Sequence, residues 1–197
     1  YICQHGNGAV AVYDGVQTDT LIAGPNDQPF NSPNDIVLDR SGCLYFSDPP
    51  YGLKDQTLRP DLRQSRAACY AWRDGLLTAF CTEYQYPNGL CLSPDEQTLY
   101  VCSSKPAERK LLAYDLATLG LKALVAEENC DGLKCDPKGN LWLTTKEGML
   151  LLNEAGERLA LITLDKVPAN CCWGGIDGKD LLVTAREQVY CLRNLLP

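Results

Sequence analysis

The sequence has a single histidine, His5, among 197 residues. One histidine could serve a Ser-His-Asp relay only beside a nucleophile elbow, and no G-x-S-x-G stretch occurs. H-E-x-x-H, the two-histidine zinc signature, is absent as well. No two cysteines stand as C-x-x-C, which argues against a zinc knuckle. No run approaches the roughly 18 to 20 apolar residues that a membrane helix needs. Basic residues are in deficit, with 18 Lys and Arg against 25 Asp and Glu, a net charge of -7. A chain of that sign repels phosphate backbones and anionic bilayers, so neither nucleic acid nor membrane is an expected partner. Residues 1–8 lack the basic start and apolar run of a signal peptide. Helix signals are weak: residues 117–128 have a helical composition, but the repeat described next places a strand there.

What is present is repetition. Four segments resemble one another: NDIVLDRSGCLYFSD from Asn34, NGLCLSPDEQTLYVCSS from Asn88, DGLKCDPKGNLWLTT from Asp131 and WGGIDGKDLLVTA from Trp173. Each has a polar turn with Asp or Gly followed by an apolar strand, and three open on an alternating strand, the pattern of β-hairpins. A further strand follows each hairpin, and after three of them one more, giving about four strands per unit. The starts are separated by 54, 43 and 42 residues. A period of 40 to 45 residues with four strands is that of a propeller blade. The longer first interval is explained by an exposed insertion, residues 49–67, in which Lys54, Arg59, Arg63 and Arg66 read as a solvated charge cluster. Tyr1 to Cys3 aligns with Tyr100 to Cys102, so the chain is expected to enter inside a blade, at its third strand. The expectation is an all-β propeller domain over residues 1–197, with about four complete blades plus a partial first one. The 11 cysteines read as reduced, buried, small apolar residues, which favours a cytoplasmic setting.

Equivalent strand openings in successive blades meet at a central channel. Those openings are Pro33-Asn34-Asp35, Pro87-Asn88-Gly89 and Cys130-Asp131-Gly132. They place the oxygen-bearing side chains of Asn34, Asn88 and Asp131 at one register, a set of hard ligands suited to Ca²⁺ or Mg²⁺, and also to Mn²⁺ or Zn²⁺. At the fourth repeat the same reading finds Cys172-Trp173-Gly174, with no ligand. The competing reading is that Asn-Gly and Asp-Gly are simply turn signals. Asp35 points away from Asn34 on a regular strand, and either orients a ligand or caps the strand turn. Tyr51 is a substrate contact above the channel or an apolar lid, and His5 is a loop residue or a channel group.

These segments, together with QHGNGAVAVYDG and ANCCWGGIDGKDLLVTA, resemble successive blades of the SMP-30/gluconolactonase/LRE-like family. The resemblance covers nearly the whole chain. It implies a six-bladed propeller with one catalytic divalent cation, the family's first blade and part of its second preceding residue 1. It implies that Asn34, Asn88 and Asp131 are metal ligands. The family's remaining ligand, a Glu in an E-G-P-x-W motif, has no counterpart here and would precede Tyr1. The activity implied is hydrolysis of a sugar lactone to its aldonic acid, with Asp131 a ligand, a general base, or both. Two alternatives remain: a non-catalytic propeller that binds calcium or a partner, and an esterase or phosphotriesterase using the same cation.

Overall fold

A computed structural model describes residues 1–53, 64, 66–104 and 109–196 of the chain. Lys54, Arg59 and Arg63 of the insertion lie outside the described residues. The architecture is an all-β propeller type. Eighteen strands form five antiparallel sheets, and no α-helix occurs among the described residues. The first sheet is β1 (Ile2–Gln4), β2 (Ala9–Tyr13) and β3 (Thr18–Ile22). The second runs β4 (Ile36–Leu38), β5 (Leu44–Asp48), β6 (Ala68–Arg73), β7 (Leu76–Phe80). The third runs β8 (Pro87–Leu92), β9 (Thr98–Ser103), β10 (Lys110–Asp115), β11 (Leu121–Ala126). The fourth runs β12 (Leu133–Cys135), β13 (Leu141–Thr145), β14 (Gly148–Leu152), β15 (Arg158–Ile162). The fifth is β16 (Asn170–Gly174), β17 (Asp180–Ala185) and β18 (Gln188–Leu192).

Among the described residues three sheets therefore have four strands and the first has three, and the fifth, expected as a complete blade, also has three. The first sheet also corrects the expected entry point. β1 takes the place of β9, the second strand of its sheet, and β2 and β3 follow as third and fourth. The segment with helical composition is strand β11, paired to β10 through two register shifts. Tertiary pairing overrides local propensity there.

The sequence sets the hairpins locally. In the β4–β5 turn, Asp39 Oδ1 accepts the N–H groups of Ser41 (2.9 Å) and Cys43 (2.8 Å). In the β12–β13 turn, Asp136 Oδ1 accepts those of Lys138 and Asn140, both at 2.9 Å. Each turn carries a glycine with φ of 88°, Gly42 and Gly139, a conformation glycine adopts without steric cost.

The chain falls into two compact units, Tyr1–Asn88 and Gly89–Pro197. In the first, Val10 and Ile22 of the first sheet join Phe46, Ala68 and Tyr70 of the second around Phe30. Phe30 is fully buried, with its ring 5.0 Å from Phe46 and 4.9 Å from Tyr70. In the second unit, Leu111, Leu133, Leu141 and Leu143 link the third and fourth sheets. Trp142, Met149, Leu181 and Val183 link the fourth and fifth. Inner strands such as β5, β9 and β13 are buried along most of their length, whereas outer strands such as β11, β15 and β18 are largely exposed. Each fully buried Leu or Phe contributes about 1.5–3 kcal/mol. Among the described residues no helix is long and apolar enough to cross a membrane.

Candidate functional site

The Asn34 and Asp131 openings share one backbone device. Asn34 N–H donates to Ser47 O (2.9 Å), and Asp131 N–H donates to Thr144 O (3.1 Å). The next residue is clamped by a hydroxyl: Asp35 N–H donates to Ser47 Oγ (3.2 Å) and Gly132 N–H to Thr144 Oγ1 (2.8 Å). Asn88 occupies the same register, five residues before Ser93, as Asn34 and Asp131 precede Asp39 and Asp136. Those three turn residues have equivalent bonds: Asp39 N–H to Cys43 O, Ser93 N–H to Thr98 O and Asp136 N–H to Asn140 O. Asn34 is half-buried, Asn88 buried and Asp131 exposed.

The fourth opening lies elsewhere than the sequence suggested. Ala169 N–H donates to Thr184 O (2.8 Å) and Asn170 pairs with Thr184. Ala169, rather than Trp173, thus stands at the register of Asn34 and Asp131. It too offers no side-chain oxygen, but Asn170 is the counterpart of Asp35. Asp35 Oδ1 accepts the N–H of Ile36 (3.0 Å), and Asn170 Oδ1 accepts that of Cys171 (2.8 Å). The signal was available: Pro168 stands before Ala169 as Pro33 stands before Asn34. Trp173 instead packs edge-on to Trp142 at 5.6 Å and donates to Cys135 O at 2.8 Å.

In the first unit the loop ahead of β4 is anchored residue by residue. Asp48, fully buried at the end of β5, accepts the N–H of Asn31 on Oδ2 (2.9 Å) and that of Ser32 on Oδ1 (2.7 Å). Ser32 Oγ donates to Pro49 O and accepts Gly52 N–H (2.8 Å). Asn31 Nδ2 donates to Arg66 O (3.0 Å). His5 Nδ1 lies 3.0 Å from Pro33 O. A Cβ on Gly52 would meet the His5 ring and stand 2.6 Å from Ser32 Cβ. His5, Asn34 and Asp35 are thereby brought to one loop. Tyr51 adjoins it, with its ring tilted at 5.4 Å from that of Tyr86, two residues before Asn88. Beside this loop lies a cleft of about 380 Å³ lined by Asn31, Leu53, Arg66, Tyr84, Gln85 and Tyr86 among others.

Burial pushes the Cys3 thiol up to about 12, with the carboxylates of Asp35 and Asp48 adding to the effect. Burial also raises the Tyr70 hydroxyl, as does Asp48. Among the described residues no three His, Cys, Asp or Glu side chains cluster as a metal site. Asn34 and Asn88 offer amide oxygens and Asp131 a carboxylate, donors of the kind that hard divalent ions accept.

The family described as SMP-30/Gluconolactonase/LRE-like region matches residues 1–187. A gluconolactonase of Zymomonas mobilis subsp. mobilis is 30% identical over 98% of this chain and 59% of its own length. Regucalcin of Danio rerio is 28% identical over 84% of this chain and 58% of its own length. The solved structure of a gluconolactonase from Xanthomonas campestris superposes with a TM-score of 0.85 at 26% identity, over 97% of this chain and 67% of that one. The chain therefore spans somewhat under two thirds of these curated relatives, and it belongs to the SMP-30/gluconolactonase/LRE-like family.

Proposed function

We propose that this member of the family serves a sugar-lactone hydrolase, in which Asn34, Asn88 and Asp131 hold one divalent cation and the product is the aldonic acid. The observation that carries the reading is the shared register: three sheets open on an oxygen-bearing side chain five residues before the turn residue, Asp39, Ser93 or Asp136. The names of the gluconolactonase relatives supply the reaction class. The chemistry that such a cation supplies when bound is polarisation of the lactone carbonyl and acidification of a water. Ca²⁺, Mg²⁺ and Mn²⁺ suit an all-oxygen set better than Zn²⁺.

Asn34 and Asn88 are neutral ligands that orient without adding charge. Asp131 is the one carboxylate of the set, and its exposure leaves it open to accept a proton from the attacking water. Asp35 keeps its own strand opening rigid by capping Ile36. Tyr51 and the amide- and tyrosine-lined cleft supply hydrogen-bonding surface for a hydroxylated ring, in a volume within the usual range for small ligands.

The test is chelation. Gluconolactone opening above the spontaneous rate, measured on full-length protein, should vanish after EDTA treatment and return with added cation. Activity untouched by chelation would reject the metal-dependent reading. Cation binding with no turnover would replace it with a non-catalytic, cation-binding propeller.

A further inference from the structure

The position of Asp48 can be compared across the sheets. It is the residue of β5 paired with the first residue of the next strand, Ala68. The same place is held by Ser103 opposite Lys110, Thr145 opposite Gly148 and Ala185 opposite Gln188. A hydroxyl or a methyl therefore satisfies the blade at this point, and a carboxylate is no requirement of the architecture. Yet Asp48 is fully buried. Withdrawing a carboxylate from water is costly unless it is hydrogen-bonded, and charge-assisted bonds to backbone N–H groups are the strong compensation. Here that compensation comes from the N–H groups of Asn31 and Ser32, three and two residues before Asn34. The neighbouring Ser47 holds Asn34 and Asp35 from the other side.

We propose that Asp48 is a positioning residue for the site: it fixes the loop 31–33 so that Asn34 presents its side chain in one orientation. This rests on the assignment of Asn34 as a cation ligand. Without the carboxylate, the N–H groups of Asn31 and Ser32 would be left buried and unbonded. The loop would relax to satisfy them, and Asn34 is the functional residue it carries. Ser32 extends the same support, because its hydroxyl ties the loop to Pro49 and to Gly52, beside Tyr51.

The test uses full-length protein with Asp48→Asn, and Asp39→Asn as a control. Asp39 is a buried carboxylate of the same sheet whose partners are the β4–β5 turn, Tyr45 of β5 and Arg73 of β6, none of them in the loop 31–33. Three quantities are read: thermal midpoint, Mn²⁺ affinity by calorimetry, and amide hydrogen exchange at Asn31 and Ser32. Both variants should lose stability. Only Asp48→Asn should weaken Mn²⁺ binding, by about tenfold or more, and speed exchange at those two amides. Equal Mn²⁺ affinities in the two variants, or unchanged exchange in Asp48→Asn, would overturn the proposal. If the wild-type protein binds no cation, the ligand role of Asn34 falls. The hold on the loop is then judged by exchange alone, faster rates supporting it and unchanged rates overturning it. Should Asp48→Asn fail to fold, Ser32→Ala keeps the carboxylate and loosens the same loop. A weaker but measurable loss of Mn²⁺ affinity is expected from it, and wild-type affinity counts against the proposal.

Discussion

Gly89 is packed directly onto Asp131. Its N–H donates to the Asp131 carbonyl at 2.7 Å, and a Cβ at Gly89 would meet that carbonyl and stand 2.7 Å from the Cα of Gly132. Gly132 repeats the relationship one opening further on, where a Cβ would stand 2.9 Å from the Cα of Asn170. Neither glycine has a positive φ. The P-N-G and D-G motifs are therefore not turns. Their glycines are demanded by close approach of one strand opening to the next, which puts Asp131 one contact away from the residue that follows Asn88.

Gly89→Ala should be strongly destabilising, because the obstructing atoms are backbone and cannot swing aside. A loss of about 2 kcal/mol or more is expected, at the upper part of the overpacking range. Gly6→Ala, where a Cβ meets nothing within 4 Å, should change little. Urea unfolding of the two variants checks this, and similar midpoints would contradict the packing reading.

Substitutions at Asp131 should separate its two roles. Asp131→Asn keeps an oxygen ligand and removes the base, so kcat for gluconolactone should fall about 100-fold or more, with a smaller loss of cation affinity. Asp131→Ala should lose both. If Asp131→Asn retains near wild-type kcat, ligation is its only part and the base lies elsewhere.

Asp39 should make stability sensitive to acid. Burial pushes its carboxyl up, but bonds from the Ser41 hydroxyl, the Cys43 N–H and the Tyr45 hydroxyl outweigh that and hold it below the usual carboxylate value. A folded-state pKa below the unfolded one stabilises the fold above the unfolded value, about 3.9. That contribution is lost as pH falls from there through the depressed value. Asp39→Asn should therefore lower stability at pH 7 and flatten the decline below pH 4. Parallel pH profiles for variant and wild type would show that Asp39 does not contribute it.

Thiol reactivity should be confined to two positions. Seven cysteines are buried, Cys3 and Cys135 are half-buried, and Cys172 and Cys191 are exposed. Both half-buried thiols are pushed up to about 12, chiefly by burial, so little thiolate forms at pH 8. A disulfide reagent should titrate about two thiols rapidly and the others only on unfolding. A fast phase of many more would mean that the strands open readily.

The repeat, the hairpins and the strand identity of residues 121–126 were legible in the sequence, because side-chain alternation and Asp-Gly turn chemistry act between residues close in the chain. Asn34, Asn88 and Asp131 could be matched for the same reason: each stands at a fixed distance from its own turn. The fourth opening lies several residues from the expected place, since Ala169 has no polar side chain to mark it; Pro168 is its local signal, and pairing with the β17 end fixes the register. The sequence was equally silent on why Gly89 and Gly132 are glycines. It also gave no sign that Asp48 turns back to hold Asn31 and Ser32. Those facts depend on which strands become neighbours, and packing between segments far apart in the chain decides that.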